Sequence, residues 1–361
     1  MRILHVLPQL SPGGMENLVI QLAQDAVGRG DEVAVASGPG PWIPKVASVG
    51  ARYVAMPATS RSGAVGMAAA AARLASCVRV MRPHVVHSHN VRATALARLA
   101  LAAGRHRAVL MPTLHGVHPA DYASASRVLR CIAPRVIACA PAVGRSLQSA
   151  GFPGTRIDVI ANGAVLQPAS VRRQEELRQR LGLGRQPLVL GIGRLVEQKG
   201  WPVLIAAASQ LDEPSFVVAG DGPLRPELAE LSARCGGRVK FLGLVDDLAA
   251  LVGLSACVVF TSHWEGLPLA LLEALSLGAP AVATAVDGVT DLVPPDAALL
   301  VPPGSPEAVS AAIWHVLTNT QLADGLRQRA RAASLAWRPE RMLLQYRNAY
   351  RAAQAGDVHW V

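Results

Sequence analysis

The chain has 361 residues, 51% of them hydrophobic, 4% aromatic and 17% charged, with a formal net charge of +10 at pH 7. That length suggests two domains with sizeable, mainly aliphatic cores. Five scattered cysteines (Cys77, Cys131, Cys139, Cys235, Cys257) argue against a disulfide framework and for a reducing compartment. MRILHVLPQL at the N-terminus lacks the features of a signal peptide, and no run of about 18 apolar residues predicts a spanning helix. The expected location is cytoplasmic.

The charge is uneven. Residues 1–165 hold 17 Lys and Arg against 6 Asp and Glu, and the remainder 18 against 19. A basic first half suggests an anionic partner: a membrane face, nucleic acid or a phosphorylated substrate. A merely solvated basic face reads equally from composition. No helix-turn-helix, zinc-finger or aromatic RNA-binding signature is present, so nucleic acid ranks last.

In chain order, Ile3–Leu7 predicts a strand. It runs through Pro8–Gly14 into a helical pattern over Met15–Val27. A strand, a Gly13-Gly14 turn and a helix N-terminus form a common anion-binding arrangement, although a plain strand–helix connection has the same pattern. Strands follow at Glu32–Ser37 and Arg52–Met56, then a helix over Gly63–Met81. His84-Val-Val-His87-Ser-His89 reads as a strand reaching its C-terminal end, where open α/β sheets bind ligands. Alternation puts His87 and His89 on one face. His115 and His118 come after a further helix and the strand Ala108–Met111. No carboxylate accompanies these histidines and the spacing matches no zinc motif, so no metal is expected. Val136–Cys139 is a strand, Pro141–Ala150 a helix, and Val159-Ile160 a short strand ending at Asn162-Gly163.

Gly163–Pro168 reads as a linker. After the charged helix Arg172–Leu181 the strand–helix alternation resumes. The strand Leu188–Ile192 leads into Gly193-Arg194-Leu-Val-Glu-Gln-Lys199-Gly200 and the helix Trp201–Gln210. Two cations in a glycine-bounded loop ahead of a helix suit a diphosphate, and Lys199 is one of only three lysines in the chain. Surface charges are the plainer alternative. Gly191-x-Gly193 lacks a third glycine, which weakens a dinucleotide fingerprint. Phe216–Ala219 is a strand ending in Gly220-Asp221-Gly222, and Val239–Phe241 another, with Gly243–Asp247 leading into a short helix. The strand Cys257–Phe260 feeds Glu265-Gly266-Leu267-Pro268 and a helix over Leu269–Leu277. Glu273 lies inside that apolar helix and should have a partner, because burying a bare charge is costly. Glu265 precedes it, where the helix dipole favours negative charge; a cap and a core ion pair are the structural alternatives. Ala281–Ala283 and Leu299–Val301 complete the sheet. Helices follow over Ser305–Leu317 and Ala323–Ala336, and from Glu340 to about Ala353. Two such βα series predict an α/β protein of two doubly wound, Rossmann-like domains facing across a cleft.

An ordered set of motifs resembles the retaining GT-B glycosyltransferases of family 4. The set is Gly13-Gly14-x-Glu16, His87-Ser-His89, His115-Gly116, Val159-Ile-x-Asn162-Gly163, the Gly193–Gly200 loop, Ala219-Gly-Asp-Gly-Pro223, Phe241-Leu-Gly243, and Glu265-Gly-x-Pro268 with Glu273. The resemblance implies a GT-B fold with an acceptor domain over 1–165, completed by a C-terminal helix over 340–361, and a donor domain over 166–339. It implies catalytic roles for His115, Glu265, Arg194 and Lys199. Donor contacts would come from Gly13, Gly14, Asn162, Gly193, Arg194, Lys199, Gly220, Asp221, Gly243, Val245, Glu265, Gly266, Leu267, Pro268, Leu269 and Glu273. Within that set Arg194 and Lys199 would hold the diphosphate, Glu265 would face the sugar, Glu273 would hold the ribose hydroxyls, and residues 243–245 would receive the base. The implied reaction moves a sugar from a nucleotide diphosphate sugar, UDP first, to a saccharide or polyprenyl-linked acceptor, with no metal and no other cofactor. Peripheral contact with the anionic inner face of the plasma membrane would suit the basic half. A nucleotide-sugar epimerase or hydrolase on the same fold, or an inactive scaffold subunit, are the alternatives. The first would need more acidic residues in the basic half, and the second would fit the loss of Arg194, Lys199 or a motif glutamate.

Overall fold

Most strands are short runs of Val, Ile, Leu and Ala with no polar alternation, which is the pattern of parallel strands covered on both faces. The computed structural model, which describes residues 1–57, 64–356 and 360, folds them accordingly into two parallel sheets. Gly63, at the start of one predicted helix, lies outside the described residues, as do 357–359 and 361 of the C-terminal segment. The chain divides into one unit of Met1–Asn162 with Glu340–Val361 and a second of Gly163–Pro339.

The first unit has seven strands: β1 (Arg2–Leu7), β2 (Glu32–Ser37), β3 (Arg52–Ala55), β4 (Val85–Ser88), β5 (Val109–Leu114), β6 (Val136–Ala138) and β7 (Ile157–Val159). Their order is β3-β2-β1-β4-β5-β6-β7. Order reverses between β1 and β4, so the following connections diverge there and leave a crevice at the carboxyl ends. The register places His5 of β1 beside His87 of β4. One face is packed by Leu18, Val19 and Leu22 of the helix Gly14–Gly28 together with Tyr346 and Tyr350 of the last helix, Pro339–Ala355. The other is packed by Leu74, Val78, Leu96 and Leu101. The last helix is tied down by Arg347, whose Nε donates to Asp25 Oδ2 at 3.0 Å.

The second unit repeats the pattern with six strands: β8 (Leu188–Ile192), β9 (Ser215–Ala219), β10 (Val239–Gly243), β11 (Cys257–Phe260), β12 (Ala281–Thr284) and β13 (Leu299–Val301). The order is β10-β9-β8-β11-β12-β13, with the reversal between β8 and β11. Leu271, Leu272 and Leu275 pack one face, and Trp201, Leu204, Ile313 and Val316 the other.

Two departures from the sequence reading have local causes. β5 runs to Leu114, past Pro112, where the predicted strand stops. Pro112 is tolerated because it faces Ser88, the last residue of β4, so no ladder continues beyond it on that side. The helices Ile43–Ser48, Tyr122–Ile132 and Arg225–Arg234 lie beyond the predicted set, the first with only six residues and a proline in its first turn. Among the described residues, no helix is long and apolar enough to cross a membrane.

Candidate functional site

The reversal between β8 and β11 places two loops side by side in the second unit. The loop after β8 ends in a single 3-10 turn, Glu197–Lys199. Gly200 then sits at φ +60°, and a Cβ there would lie 2.1 Å from the Thr261 carbonyl oxygen. Only glycine lets the two loops approach this closely. Thr261 Oγ donates to the Lys199 carbonyl at 3.0 Å, and His263 N to the Gln198 carbonyl at 2.8 Å. Locked in this way, Lys199 Nζ reaches Glu265 Oε1 in a salt bridge, with the Glu265 side chain only 4% exposed. Ser262 Oγ donates to the same oxygen at 2.7 Å, and Gln198 Nε2 to Oε2 at 3.3 Å. Glu265 is therefore not a helix cap. The helix Leu269–Ser276 begins after Pro268 with no side chain capping it; Leu269 N donates to the Leu267 carbonyl at 3.0 Å, and the N–H groups of Ala270 and Leu271 are open to a ligand.

Glu273 sits about one turn inside the same helix. It lacks the partner expected from sequence: among the described residues its carboxylate has no hydrogen bond or ion pair. The cost of burial is met differently, since desolvation pushes its carboxyl up to about 7. The group holds a proton where most carboxylates have lost theirs.

The remaining loops of this unit close around the same sheet end. Gly193 N donates to the Ala219 carbonyl, Gly220 N to the Gly243 carbonyl, and Leu195 N to the Asp221 carbonyl. At Gly220 a Cβ would fall 1.9 Å from the Gly193 oxygen, which explains the glycine after β9. Arg194 is exposed, and Trp201 Nε1 holds its carbonyl at 2.8 Å. Asp221 caps its own turn through Gly222 N at 2.8 Å and lies 3.8 Å from Arg225. Gly243 has φ +74°; Val245, Gly266, Leu267 and Leu269 are half-buried and Pro268 is buried. Thus Lys199 and Glu265 are in contact, Gly193, Gly220, Asp221 and Gly243 form the adjoining turns, and Arg194 extends into solvent.

The other predicted residues belong to the first unit. Gly13 and Gly14 form the uncapped start of the helix Gly14–Gly28, where the first-turn residue Glu16 is buried. Asn162 is buried with its Oδ1 unpartnered. His115 follows β5, and its Nε2 is 3.4 Å from His89 Nδ1. Burial lowers its pKa to about 4. His87 is held on both nitrogens, by Tyr350 OH at 2.7 Å and Thr113 Oγ at 2.8 Å. His118 stands apart, accepting from Ala120 N.

His5, His87 and His89 bring nitrogens within 4.8 Å of one another. The donor set fits a metal dication poorly. All three rings are fully buried, no carboxylate belongs to the group to balance a dication, and both His87 nitrogens are engaged by hydroxyls. His5 lies within the predicted strand Ile3–Leu7 and is not among the expected site residues. Its signal was a polar ring in the middle of an otherwise apolar central strand. Ser262, three residues ahead of Glu265, was also findable by local reach, whereas Gln198 comes from another loop and was not.

Two family descriptions match the chain: Glycosyltransferase Family 4 over residues 12–167 and Glycosyl transferases group 1 over 173–333. The alpha-D-kanosaminyltransferase of Streptomyces kanamyceticus is 31% identical over 184 residues, 48% of each chain. The 2-deoxystreptamine N-acetyl-D-glucosaminyltransferase of Streptomyces fradiae is 28% identical over 96% of this chain and 94% of its own. The matched stretch thus spans about half of the first relative and nearly all of the second. Among solved structures, Anabaena Alr3699/HepE in complex with UDP-glucose superposes with a TM-score of 0.87 at 23% identity, covering 98% of this chain and 100% of that one. WaaG, a glycosyltransferase involved in lipopolysaccharide biosynthesis, superposes at 0.77 and 17% identity, covering 98% and 99%. At these identities the structural likeness establishes the fold, which is GT-B.

Proposed function

The chain belongs to family 4 of the GT-B glycosyltransferases, and on that premise we propose that it transfers a sugar from a nucleotide diphosphate sugar, UDP-linked by preference, with retention of anomeric configuration. The acceptor is a saccharide or a lipid-linked saccharide, in the synthesis of a surface polysaccharide or glycolipid. One observation carries the reading: Lys199 bound to Glu265 at the β8/β11 reversal, one turn before an uncapped helix that holds the unpartnered Glu273.

Glycosyl transfer requires that a departing diphosphate be stabilised where its charge develops. An ammonium has three donors. One goes to Glu265, which fixes the Lys199 side chain and leaves two for phosphate oxygens. Arg194, exposed at the head of the same loop, supplies a bidentate cation. The helix N-terminus adds the N–H groups of Ala270 and Leu271. Together these cations replace the role a divalent metal has in other transferases, so transfer proceeds without one. Glu265 faces the sugar and Glu273 receives the ribose hydroxyls. Gly243–Val245 meets the base. No side chain is assigned as a nucleophile: the acceptor attacks on the face the diphosphate leaves, and a diphosphate oxygen takes its proton. The named UDP-glucose complex of a same-fold neighbour supports UDP over other nucleotides. The basic first half supports peripheral contact with an anionic membrane face at the cytoplasmic side.

The test is a calorimetric panel of UDP-, GDP- and dTDP-sugars, followed by NMR of the anomeric product formed with the donor that binds. Binding of one nucleotide sugar and an axial product from an axial donor is expected. An inverted product, or sugar release to water alone in the presence of saccharide and lipid-linked acceptors, overturns the assignment.

A further inference from the structure

Three imidazoles line up in the first unit. His5 Nδ1 lies 3.1 Å from His89 Nε2, and His89 Nδ1 lies 3.4 Å from His115 Nε2. His5 and His89 are fully buried. At the inner end of the row, His5 Nε2 is buried without any partner. At the outer end, His115 has its Nδ1 left over after Nε2 is used. His87 stands beside the row, its ring centroid 4.1 Å from that of His89, and is clamped by Tyr350 and Thr113 on its two nitrogens. It is therefore unable to join the row by hydrogen bonding, but it walls His89 in place.

A neutral imidazole has one N–H and one lone pair. A row of three joined nitrogen to nitrogen can thus run in only two directions. In one, every ring donates inward and the row ends on a His5 Nε2–H with nothing to receive it. In the other, every ring donates outward and the row ends on a bare His5 Nε2 lone pair. Buried N–H groups without acceptors are rarer in folded proteins than buried acceptors without donors. The orphan at His5 therefore selects the outward direction. Burial depresses the pKa of all three rings, to about 3 for His5, about 4 for His115 and well below the ordinary value for His89, so the row is neutral throughout the useful pH range.

We propose that His5 and His89 are positioning residues that fix His115 in the tautomer carrying its proton on Nδ1, so that His115 offers a hydrogen-bond donor, not an acceptor, to its ligand. This rests on the reading of His115 as a group that meets the reacting sugar. The chemical class it would serve is then an oxygen acceptor: a sugar hydroxyl or an oxygen gaining negative charge as the glycosidic bond breaks. A neutral donor suits that task, because it does not compete with the cations of the donor site for the diphosphate. The same orientation logic operates where an outer group fixes the tautomer of a ligating or catalytic histidine.

The experiment uses the full-length protein labelled with 15N-histidine. Long-range proton–nitrogen correlation at pH 7, without any donor, reads the tautomer of each ring. Wild type is expected to show Nδ1–H for His5, His89 and His115. In His5→Phe the ring volume stays but the donor goes, and His115 is expected to lose its single tautomer. In His5→Asn the side-chain amide nitrogen takes the place of Nδ1 and is expected to restore Nδ1–H at His115. With the donor found above, kcat should fall roughly ten- to a hundredfold in His5→Phe and recover in His5→Asn. The donor KM should stay within about threefold in both. A role in core packing alone predicts the reverse ranking, since Phe is the better buried residue. Nε2–H at His115 in wild type, an unchanged His115 in His5→Phe, or a bound metal that His5→Phe releases would each overturn the proposal. The tautomer reading needs no substrate, so a protein that transfers no sugar yet shows the outward row would refute the proposed function and leave this inference standing.

Discussion

Glu273→Gln isolates the most unusual charge in the molecule. Desolvation raises the carboxyl from 4.5 to about 7. Each pH unit of such a shift corresponds to about 1.4 kcal/mol, so ionising Glu273 in the folded second unit costs about 3 kcal/mol, a ceiling because the side chain is not fully enclosed. The sign follows from which state holds the proton. Below about 4.5 both folded and unfolded chains are protonated and nothing is lost. Between about 4.5 and 7 the unfolded chain releases its proton while the folded unit keeps it, so stability falls as pH rises, and it levels off above about 7. Glutamine keeps the shape and removes the titration. In urea denaturation, Glu273→Gln should match wild type near pH 4.5 and exceed it by up to about 3 kcal/mol at pH 8. Ligand binding should reverse the advantage. On the proposed role of Glu273, ribose hydroxyls would donate to the ionised carboxylate, so binding would expel the proton below pH 7. Wild-type affinity for UDP should then rise with pH, up to about tenfold per unit, and flatten above about 7. Calorimetry in two buffers of different ionisation enthalpy counts the released proton. A wild-type minus mutant stability difference that is the same at pH 5 and pH 8, together with no proton release on binding, would refute the reasoning.

Other substitutions separate charge from geometry in the same site. Lys199→Met leaves the nearly buried Glu265 carboxylate without its ammonium and should destabilise the second unit by about 3 kcal/mol; adding Glu265→Gln should recover stability but not transfer, and independent, additive losses in the double mutant would contradict the pairing. Arg194→Ala should leave stability within about 0.5 kcal/mol, because the side chain is exposed, while lowering transfer at least about a hundredfold. Equal activity in that variant removes Arg194 from the diphosphate site. Gly288→Ala places a methyl 2.3 Å from the Glu265 carbonyl oxygen and 2.9 Å from that of Gly266. It should cost about 1–3 kcal/mol in denaturation and weaken nucleotide binding; unaltered affinity would mean the Glu265 loop can shift without consequence.

The fold was legible because its signals are local. Continuous apolar runs such as Leu188–Ile192 and Cys257–Phe260 mark buried parallel strands, and glycine turns such as Gly193 and Gly220 mark their ends. Pro112 misled because proline usually ends a central strand, and nothing local says that β4 stops beside it. The site was legible only by residue type. Sequence put Arg194 and Lys199 together as two cations, but the contact that defines Lys199 is with Glu265, 66 positions away. It demanded a partner for Glu273, yet a carboxylate can also meet desolvation by keeping its proton, and only the packing around it decides between the two. His5 was invisible because its meaning depends on its register against His87 and on a loop that brings His115 back to His89.

The two units share a topology and differ in what they put at the same place. Each has its polar cluster where the first and fourth strands of the sheet lie side by side, β1 with β4 and β8 with β11. In the first unit that place is filled by neutral imidazoles held by one another and by hydroxyls. In the second it holds an ammonium and a carboxylate in contact. A buried ion survives only with its counter-ion, so charge can wait in the second site before any ligand arrives and cannot wait in the first. On the proposed function, a diphosphate would find its balancing charge in the second unit, while the imidazole cluster of the first would offer hydrogen bonds. Net charge points the opposite way, since the basic excess lies almost wholly within residues 1–165. That excess therefore belongs to the surface of the first unit and not to its polar crevice, and raising salt should weaken contact with an anionic membrane far more than it weakens nucleotide binding at Lys199. Vesicle co-sedimentation and UDP calorimetry across the same salt series compare the two directly. A parallel decline of both would mean that the surface charge and the donor site act as one.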